Sequence, residues 1–421
     1  METIAQHGSL LIALAIILAL FMTWGIGAND VANALGTSVG SGAINYRTAI
    51  LLAAGFELAG AVLAGGRVTE TIRRGIIDPT PIESSPEVLA FGMLAALLGA
   101  AIWLALATVR GWPVSTTHSI VGAVVGFGVV GVGLDAVAWG KLGQIAAGWL
   151  VSPLLGGAIA FALMHSIRRL ILNTDRPFDN AVRWAPAYVF LVGFIVALVT
   201  LFRGLTHLQL ELSVAASVLI ALAIGLGCAV AGRYALGMRE IELIGDRKAH
   251  FARVEAAFAP MMVFTACAMA FAHGSNDVAN GVGPLAAVYG LVRSGGEIAQ
   301  RSPLPLWILL LGGAGLVLGI ATYGFRVMQT IGARITVLTP TRGFCATLAA
   351  AVTVVLASRT GMPVSTTHVV VGAVMGVGLA RGIAALDLRV IVSIVIAWVV
   401  TLPAGGILAA LIFFALRAVF S

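Results

Sequence analysis

The chain has 421 residues, of which 60% are hydrophobic and only 10% are charged, and its mean hydropathy is +1.03. A soluble domain carries about a quarter charged residues, so this composition excludes an ordinary soluble fold and predicts an all-α polytopic membrane protein. The net charge of +7 lies in loops between apolar segments, without a basic patch interleaved with aromatics. Membrane topology explains that charge better than nucleic-acid binding does.

Hydropathy divides the first part of the chain into membrane segments at 9–44 (interrupted at Asn29-Asp30), 47–66, 87–109 with 119–134, and 139–165. The middle adds segments at 184–202 and 212–232. The last part gives 258–292 (interrupted at Asn276-Asp277), 305–325, 343–358 with 369–380, and 390–416. A hydrocarbon core of about 30 Å needs roughly 20 helical residues, so the chain predicts a bundle of spanning helices.

Two of these segments are too short to cross a bilayer alone. The stretches 343–358 and 369–380 are better explained as two arms of a re-entrant hairpin with its tip at 363–367. The first part contains an equivalent pair around Ser115, although 87–109 alone is long enough to cross.

Three motifs occur twice in the same order, at offsets of 247, 259 and 250. They pair residues 27–33 with 274–280, Arg67-Val68 and Thr71-Ile72 with Arg326-Val327 and Thr330-Ile331, and 111–118 with 361–368. Such a recurrence indicates a duplication. It predicts transmembrane repeat 1 at 1–165, a central section with two helices and a cytoplasmic loop at 166–257, and transmembrane repeat 2 at 258–421.

The distribution of Lys and Arg predicts the orientation. Placing the basic loop 233–257 in the cytoplasm puts both termini outside the cell, in the extracellular or periplasmic space. Five crossings then separate the starts of the two repeats, and this odd number gives them inverted topology. Inverted repeats with broken helices are typical of secondary transporters, whose substrate site lies near the membrane midplane.

The two Pro-Val-Ser-Thr-Thr motifs have the chemistry of an anion site. A proline is expected to start a new half-helix, whose free N–H groups and positive dipole end attract oxyanions. Consecutive hydroxyls add donors, and two such tips could surround phosphate or sulfate. The hydroxyl residues are Ser115, Thr116, Thr117, Ser365, Thr366 and Thr367. The alternative is that each motif only caps a helix.

The two Asn-Asp-x-x-Asn motifs have the opposite chemistry. Asp30 and Asp277 are carboxylates within apolar segments, where an ionised group is a functional candidate. Together with Asn29, Asn33, Asn276, Asn280 and backbone carbonyls freed by a helix break, they predict an oxygen-rich site for Na⁺ or another small cation. Two carboxylates would repel a phosphate dianion, so coupled uptake of cations or protons follows from the charge balance. Asp30 or Asn29 could instead cap a half-helix.

Three further titratable residues are candidates for proton transfer or for the pathway. His118 and His368 could carry protons or could hydrogen-bond within the hairpins. Glu57 lies in the middle of a predicted span without a matching acid in the second repeat, and it either lines the pathway or pairs with a neighbour. The three cysteines have no metal-ligand spacing, and no resident cofactor is predicted.

At Gly-x-Asn-Asp-Val-Ala-Asn and Pro-Val-Ser-Thr-Thr-His, both duplicated, the sequence resembles the inorganic phosphate transporter (PiT) family. The resemblance implies an inverted-repeat fold of about twelve membrane elements with extracellular termini. It implies that phosphate is bound by Asn33, Asn280 and the hydroxyl residues at 115–117 and 365–367. It also implies that the cation is held by Asp30, Asp277 and nearby backbone.

Other functions remain open. A sulfate permease of the same fold is the nearest, because hydroxyl donors alone do not separate two tetrahedral anions. A hydrogen-bond acceptor that meets a protonated phosphate oxygen would favour phosphate over sulfate, which has no proton to donate at neutral pH. Asp30 or Asp277 could be this acceptor. An intramembrane hydrolase that uses Ser115, His118 and an aspartate as a triad is a remote alternative, and a channel is disfavoured by paired ion sites. The sequence does not choose between Na⁺, H⁺ and a metal–phosphate complex, and it leaves a homodimer open.

Overall fold

The computed structural model describes residues 2–78, 80–82, 85–110, 112, 114–203, 212–237, 247–298, 304–324, 339–382 and 388–420. These residues form an all-helical protein. In chain order the helices are α1 (Glu2–Gly40), α2 (Tyr46–Ala64), α3 (Gly66–Arg74), α4 (Pro86–Val109), α5 (Thr116–Gly131), α6 (Trp139–Ile167), α7 (Pro177–Arg203), α8 (Val214–Gly237), α9 (Arg247–Arg293), α10 (Leu306–Thr322), α11 (Pro340–Arg359), α12 (Thr366–Arg381) and α13 (Leu388–Phe420).

Nine helices within the described residues are long and apolar enough to cross a membrane. Three shorter apolar helices, α5, α10 and α12, have 16 or 17 residues. The long helices expose large apolar side chains on the outside of the bundle, among them Leu150 and Leu154 on α6 and Leu219 and Leu226 on α8, as a bilayer solvent allows. The prediction of an all-α polytopic membrane protein is therefore confirmed.

The predicted interruptions at Asn29-Asp30 and Asn276-Asp277 are wrong. Helix α1 continues from Glu2 to Gly40, and helix α9 continues from Arg247 to Arg293, through both motifs. The Asn and Asp side chains form hydrogen bonds with hydroxyl groups of neighbouring helices. They therefore do not compete for the helical hydrogen bonds of their own main chain. Neither pair therefore caps a half-helix, and the freed carbonyls expected there do not occur.

Helices α5 and α12 begin later than the proline motif predicted. They start at Thr116 and Thr366, with Ser115 and Ser365 in extended conformation as N-caps. Pro363 lies two residues before its cap and so does not occupy the first helical position, whereas Pro113 lies outside the described residues. The cap forms where a side-chain oxygen can accept a hydrogen bond from the main chain, and serine supplies that oxygen.

The packing pairs elements of the first sequence repeat with elements of the second. Helix α1 contacts α9 and α10, and α2 contacts α9; likewise α5 packs against α13 and α6 against α12. A Cβ at Gly27 would lie 2.1 Å from Leu316 O, and one at Gly274 would lie 2.1 Å from Glu57 O. The two repeats therefore approach each other through corresponding glycines.

Two parts of the predicted organisation are only partly covered by the described residues. The repeated segment 326–331 lies outside them, while its counterpart at 67–72 forms much of α3. The basic loop 233–257 is described only at its two ends, in α8 and α9.

Candidate functional site

The polar residues of the repeated motifs meet where the middle of α1 and of α9 contacts the N-terminal ends of α5 and α12. All of them are buried, although they are charged or polar. The set comprises Asn29, Asp30, Asn33, Ser115, Thr116, Thr117, Asn276, Asp277, Asn280, Ser365, Thr366 and Thr367. Buried polar groups must find partners, so their hydrogen bonds define the site.

Each aspartate accepts a hydrogen bond from the threonine of its own repeat. The Thr116 hydroxyl donates to Asp30 Oδ2 at 3.0 Å, and the Thr366 hydroxyl donates to Asp277 Oδ2 at 2.7 Å. The same contact therefore occurs once in each repeat, between a long helix and the start of a short one.

The asparagines connect the two repeats. Asn33 Nδ2 donates to Thr367 Oγ1 at 2.9 Å, and Asn280 Nδ2 donates to Thr117 Oγ1 at 3.1 Å. Asn33 also donates to Asp30 Oδ1 at 3.2 Å. The two hydroxyl clusters are thus interlocked, because each asparagine bonds to the threonine of the opposite repeat.

The interpretation of the serines as helix caps is confirmed. Ser115 Oγ accepts from the N–H of His118 at 3.1 Å, and Ser365 Oγ accepts from the N–H of His368 at 3.2 Å. The Thr117 hydroxyl donates to Val364 O at 3.1 Å, which joins the two helix starts directly. Two positive helix ends therefore lie next to each other in a buried polar cluster.

Asn29 and Asn276 contact α4 and α11, the helices before α5 and α12, and not the threonines of the Ser-Thr-Thr motifs. Asn29 Nδ2 donates to Thr108 Oγ1 on α4 at 2.6 Å. The Asn276 amide contacts Ser358 Oγ on α11 at 2.9 Å. These paired contacts fix α1 and α9 against the helices that precede α5 and α12.

His273 was not identified from the sequence, although it completes the acidic cluster. Its Nε2 lies 3.0 Å from Asp277 Oδ2 and 4.0 Å from Asp30 Oδ2, and its Nδ1 lies 3.1 Å from Glu57 Oε1. Glu57 therefore pairs with a neighbour, one of the two alternatives. The sequence signal that could have identified His273 was its position four residues before Asp277, which puts both side chains on the same face of one helix.

Asp30, His273 and Asp277 offer ligand atoms that all lie within 4.8 Å of one another. Carboxylate oxygens are suitable ligands for a hard cation such as Na⁺, and the histidine supplies either a further ligand or a proton. Three buried carboxylates, with Glu57 included, repel one another at low dielectric unless protons or cations neutralise them. The cluster can therefore bind positive charge.

His118 and His368 lie against each other and against two tryptophans. Their ring centroids are 4.4 Å apart, and each ring packs on a tryptophan, Trp149 for His118 at 3.9 Å and Trp398 for His368 at 3.5 Å. The two imidazoles form an aromatic cluster with these indoles.

The model of the phosphate transporter family matches residues 26–409, which include both copies of the two site motifs. The chain belongs to the phosphate transporter family. The resemblance drawn from the motifs is thereby confirmed, and the protein is a multi-pass transporter and not an enzyme.

Individual relatives extend over almost the whole chain. It is 47% identical over 429 residues to a "putative phosphate permease" of Haemophilus influenzae, with 100% of both chains covered. It is 45% identical over 400 residues to another from Pyrococcus abyssi, covering 95% of this chain and 96% of the relative. A solved structure described as the sodium-dependent phosphate transporter is 39% identical, with a TM-score of 0.89 over 97% of this chain and 99% of that one.

Proposed function

We propose that the protein imports inorganic phosphate across the cell membrane by symport with a cation, and that Na⁺ is this cation. Its family membership and its similarity to a sodium-dependent phosphate transporter support the substrate and the ion. The observation that carries the proposal is the interlocked cluster itself. Hydroxyl and amide donors at two helix starts adjoin a group of carboxylates, so an anion site and a cation site share their hydrogen bonds.

The anion is assigned to the donors of both repeats. Asn33, Asn280 and the hydroxyl residues at 115–117 and 365–367 supply hydroxyl and amide donors, while the first N–H groups of α5 and α12 have no partner within their helices. The cation is assigned to Asp30 and Asp277, and Asn29 and Asn276 keep α1 and α9 in position beside them.

The direction of two hydrogen bonds suggests how the ions are coupled. A threonine hydroxyl carries one hydrogen, and Thr116 and Thr366 now direct theirs to Asp30 and Asp277. A cation bound to these carboxylates would replace the two hydroxyls as their partner. The hydroxyls could then donate their hydrogen bonds to phosphate. Cation binding would then increase phosphate affinity, and by linkage phosphate would increase cation affinity to the same extent.

One buried acceptor favours phosphate over sulfate. Asn280 Oδ1 accepts no hydrogen bond from the residues that the structure describes. At neutral pH phosphate carries a proton that it can donate to such an oxygen, whereas sulfate has none. The distinction is physically strong, because a buried acceptor without a donor costs about 1–3 kcal/mol.

The architecture proposed with this function is the inverted-topology repeat, at 1–165 and 258–421, around the central section 166–257. The pairwise contacts between the two repeats support it. In this topology both termini are outside the cell, and α4–α5 and α11–α12 form the two re-entrant hairpins. A homodimer stays a prediction.

The test is uptake of labelled phosphate into liposomes that contain the purified protein, first under a Na⁺ gradient and then under a pH gradient. We expect Na⁺-driven phosphate uptake that Asp30→Asn abolishes and that excess sulfate does not inhibit. Asp135→Asn, an exposed aspartate outside the site, is the matched control. Sulfate uptake without phosphate uptake would overturn the assignment of phosphate as the substrate. Phosphate uptake driven only by the pH gradient would overturn the assignment of Na⁺ as the coupling ion.

A further inference from the structure

The duplicated motif at 67–72 contributes no residue to the proposed transport site. It lies on α3, and two of its side chains bond to the loop between α11 and α12. Thr71 Oγ1 donates to Gly361 O at 2.7 Å, and Arg67 Nη1 donates to Arg359 O at 3.2 Å. We name these two hydrogen bonds the α3 contact. A helix of the first repeat is thus bonded to the loop that leads to the Ser-Thr-Thr motif of the second.

The end of α11 leaves main-chain carbonyls that need donors from elsewhere. Met362 N donates to Ala357 O at 3.1 Å around Gly361, whose φ of +72° is the left-handed conformation that glycine adopts without strain. The last carbonyls of a helix have no partner within that helix. The α3 contact supplies donors to two of these carbonyls, and the positive charge of Arg67 lies beside the negative end of α11.

The following two carbonyls of the same loop are held by buried groups of other helices. Trp149 Nε1 on α6 donates to Pro363 O at 3.0 Å. Thr117 Oγ1 on α5 donates to Val364 O at 3.1 Å. The side chain of Arg67, in contrast, is exposed, and water can replace an exposed donor more cheaply than a buried one. The α3 contact is therefore the part of the loop packing that opens most easily.

Helix α3 also packs on α9 about one turn beyond Asn280. A Cβ at Gly283 would lie 2.7 Å from Ile72 Cγ2, so the two helices touch closely there. In the proposed topology α3 lies on the outer side of the membrane, and the α11–α12 hairpin enters from the inner side. Helix α3 therefore connects the outward-leading part of α9 with the tip of the second hairpin.

We propose that Arg67 and Thr71 form an outer gate of the anion site. The α3 contact closes the site towards the outside, and it opens when phosphate enters from there. Its opening frees the outer part of the loop and uncovers Ser365 at the start of α12, while the buried bonds at Pro363 and Val364 keep the hairpin attached. This inference rests on the proposed function and adds to it the step that controls access.

The first test closes the gate with a disulfide. The Cβ of Arg67 lies 3.8 Å from the position of a Cβ at Gly361, the usual separation in a disulfide. We expect Arg67→Cys/Gly361→Cys to lose uptake of labelled phosphate in proteoliposomes after oxidation and to regain it with dithiothreitol. The oxidised protein in detergent is expected to bind phosphate as the reduced form does, because the inner side stays open. Arg67→Cys alone is the control and should not respond to the oxidant.

Two outcomes of this test overturn the proposal. Uptake by the cross-linked protein at the rate of its reduced form shows that the α3 contact need not open. Loss of phosphate binding together with uptake shows that the contact shapes the site instead of closing it.

The second test leaves Gly361 unchanged and needs no substrate. A membrane-impermeant thiol reagent is added outside intact cells, and its reaction with a cysteine introduced by Ser365→Cys is timed. Thr71→Val removes the donor to Gly361 O and is expected to raise the labelling rate about fivefold, the effect of one net hydrogen bond on the open population. Thr71→Ser keeps the hydroxyl, and the control Thr360→Val removes a hydroxyl that donates to Ala357 O of α11 itself at 2.7 Å. Both are expected to leave the rate unchanged.

An unchanged labelling rate in Thr71→Val, or an equal rise in Thr360→Val, overturns the gate. A wild-type protein that neither binds nor takes up phosphate refutes the proposed function instead, and the labelling rates still decide whether the α3 contact controls access from outside.

Discussion

Removing the Asn280 amide and the Thr117 hydroxyl, singly and together, tests whether the two repeats share one anion site. Asn280 Nδ2 donates to Thr117 Oγ1 at 3.1 Å, and that hydroxyl donates onward to Val364 O at 3.1 Å. Asn280 and Thr117 come from different repeats, and both are buried. The variants are Asn280→Ala and Thr117→Val, and valine keeps the shape of threonine without its hydroxyl.

The expected magnitude follows from burial. Each single change removes one hydrogen bond from a buried network, although Asn280 also donates to Thr116 Oγ1 at 3.3 Å and Thr117 to Val364 O at 3.1 Å. Each change also removes a group that we assign to phosphate, and the combined cost is about 1–3 kcal/mol, or roughly 5- to 150-fold in phosphate affinity. The double variant removes both partners of one hydrogen bond. Its loss is therefore expected to be smaller than the sum of the single losses by about 1 kcal/mol, a factor of ~5.

The assay is equilibrium binding of labelled phosphate to purified protein at fixed Na⁺, with the apparent KM for uptake as a second readout. Asn180→Ala is the matched control, because Asn180 donates to Thr174 at 3.0 Å far along the chain from the cluster. Single variants with unchanged affinity, or losses that simply add, would refute the reasoning that this contact belongs to the anion site.

Three other changes have equally definite outcomes. Glu57→Gln removes the carboxylate that lies 3.1 Å from His273 Nδ1, so the buried imidazole loses its charged partner. The initial rate of phosphate uptake is expected to fall at least ~10-fold, and a wild-type rate would argue against a role of Glu57 in transport. Gly274→Ala places a Cβ 2.1 Å from Glu57 O and is expected to destabilise by roughly 1–3 kcal/mol, seen as a lower Tm, whereas Gly227→Ala meets no atom within 4 Å and should leave Tm unchanged. Ser365→Ala removes a helix cap and should cost about 1 kcal/mol of stability, with Ser365→Asn restoring most of it; equal Tm values for all three proteins would count against the cap.

The sequence predicted the membrane segments and the composition of the site because both depend on local patterns. Apolar length sets the spans, and the duplicated motifs contain nearly all the polar residues that the structure brings together. The contact between Thr116 and Asp30 was not predicted, because the sequence assigned these residues to different ions.

The errors came from interactions between distant segments. Asn29-Asp30 was expected to break its helix, yet Thr108 and Thr116 satisfy these side chains and the helix continues. No local pattern shows which hydroxyl of another helix will be available, so a polar pair in a membrane segment does not by itself predict a break.

His273 was missed for a related reason. It stands where the first repeat has Ile26, so a comparison of the two repeats gave no signal. Its partners Glu57 and Asp277 lie on different helices, and only tertiary packing shows that one imidazole connects them. The asymmetry between the repeats is therefore a property of the folded site.

The most direct measurement is an experimental structure of the protein determined by cryo-electron microscopy in Na⁺ and phosphate. The account predicts density for a tetrahedral anion within hydrogen-bonding distance of Thr117, Thr367, Asn33 and Asn280, with cation density beside Asp30 or Asp277. Protein saturated with phosphate but without anion density at the two helix starts would contradict the proposed transport site.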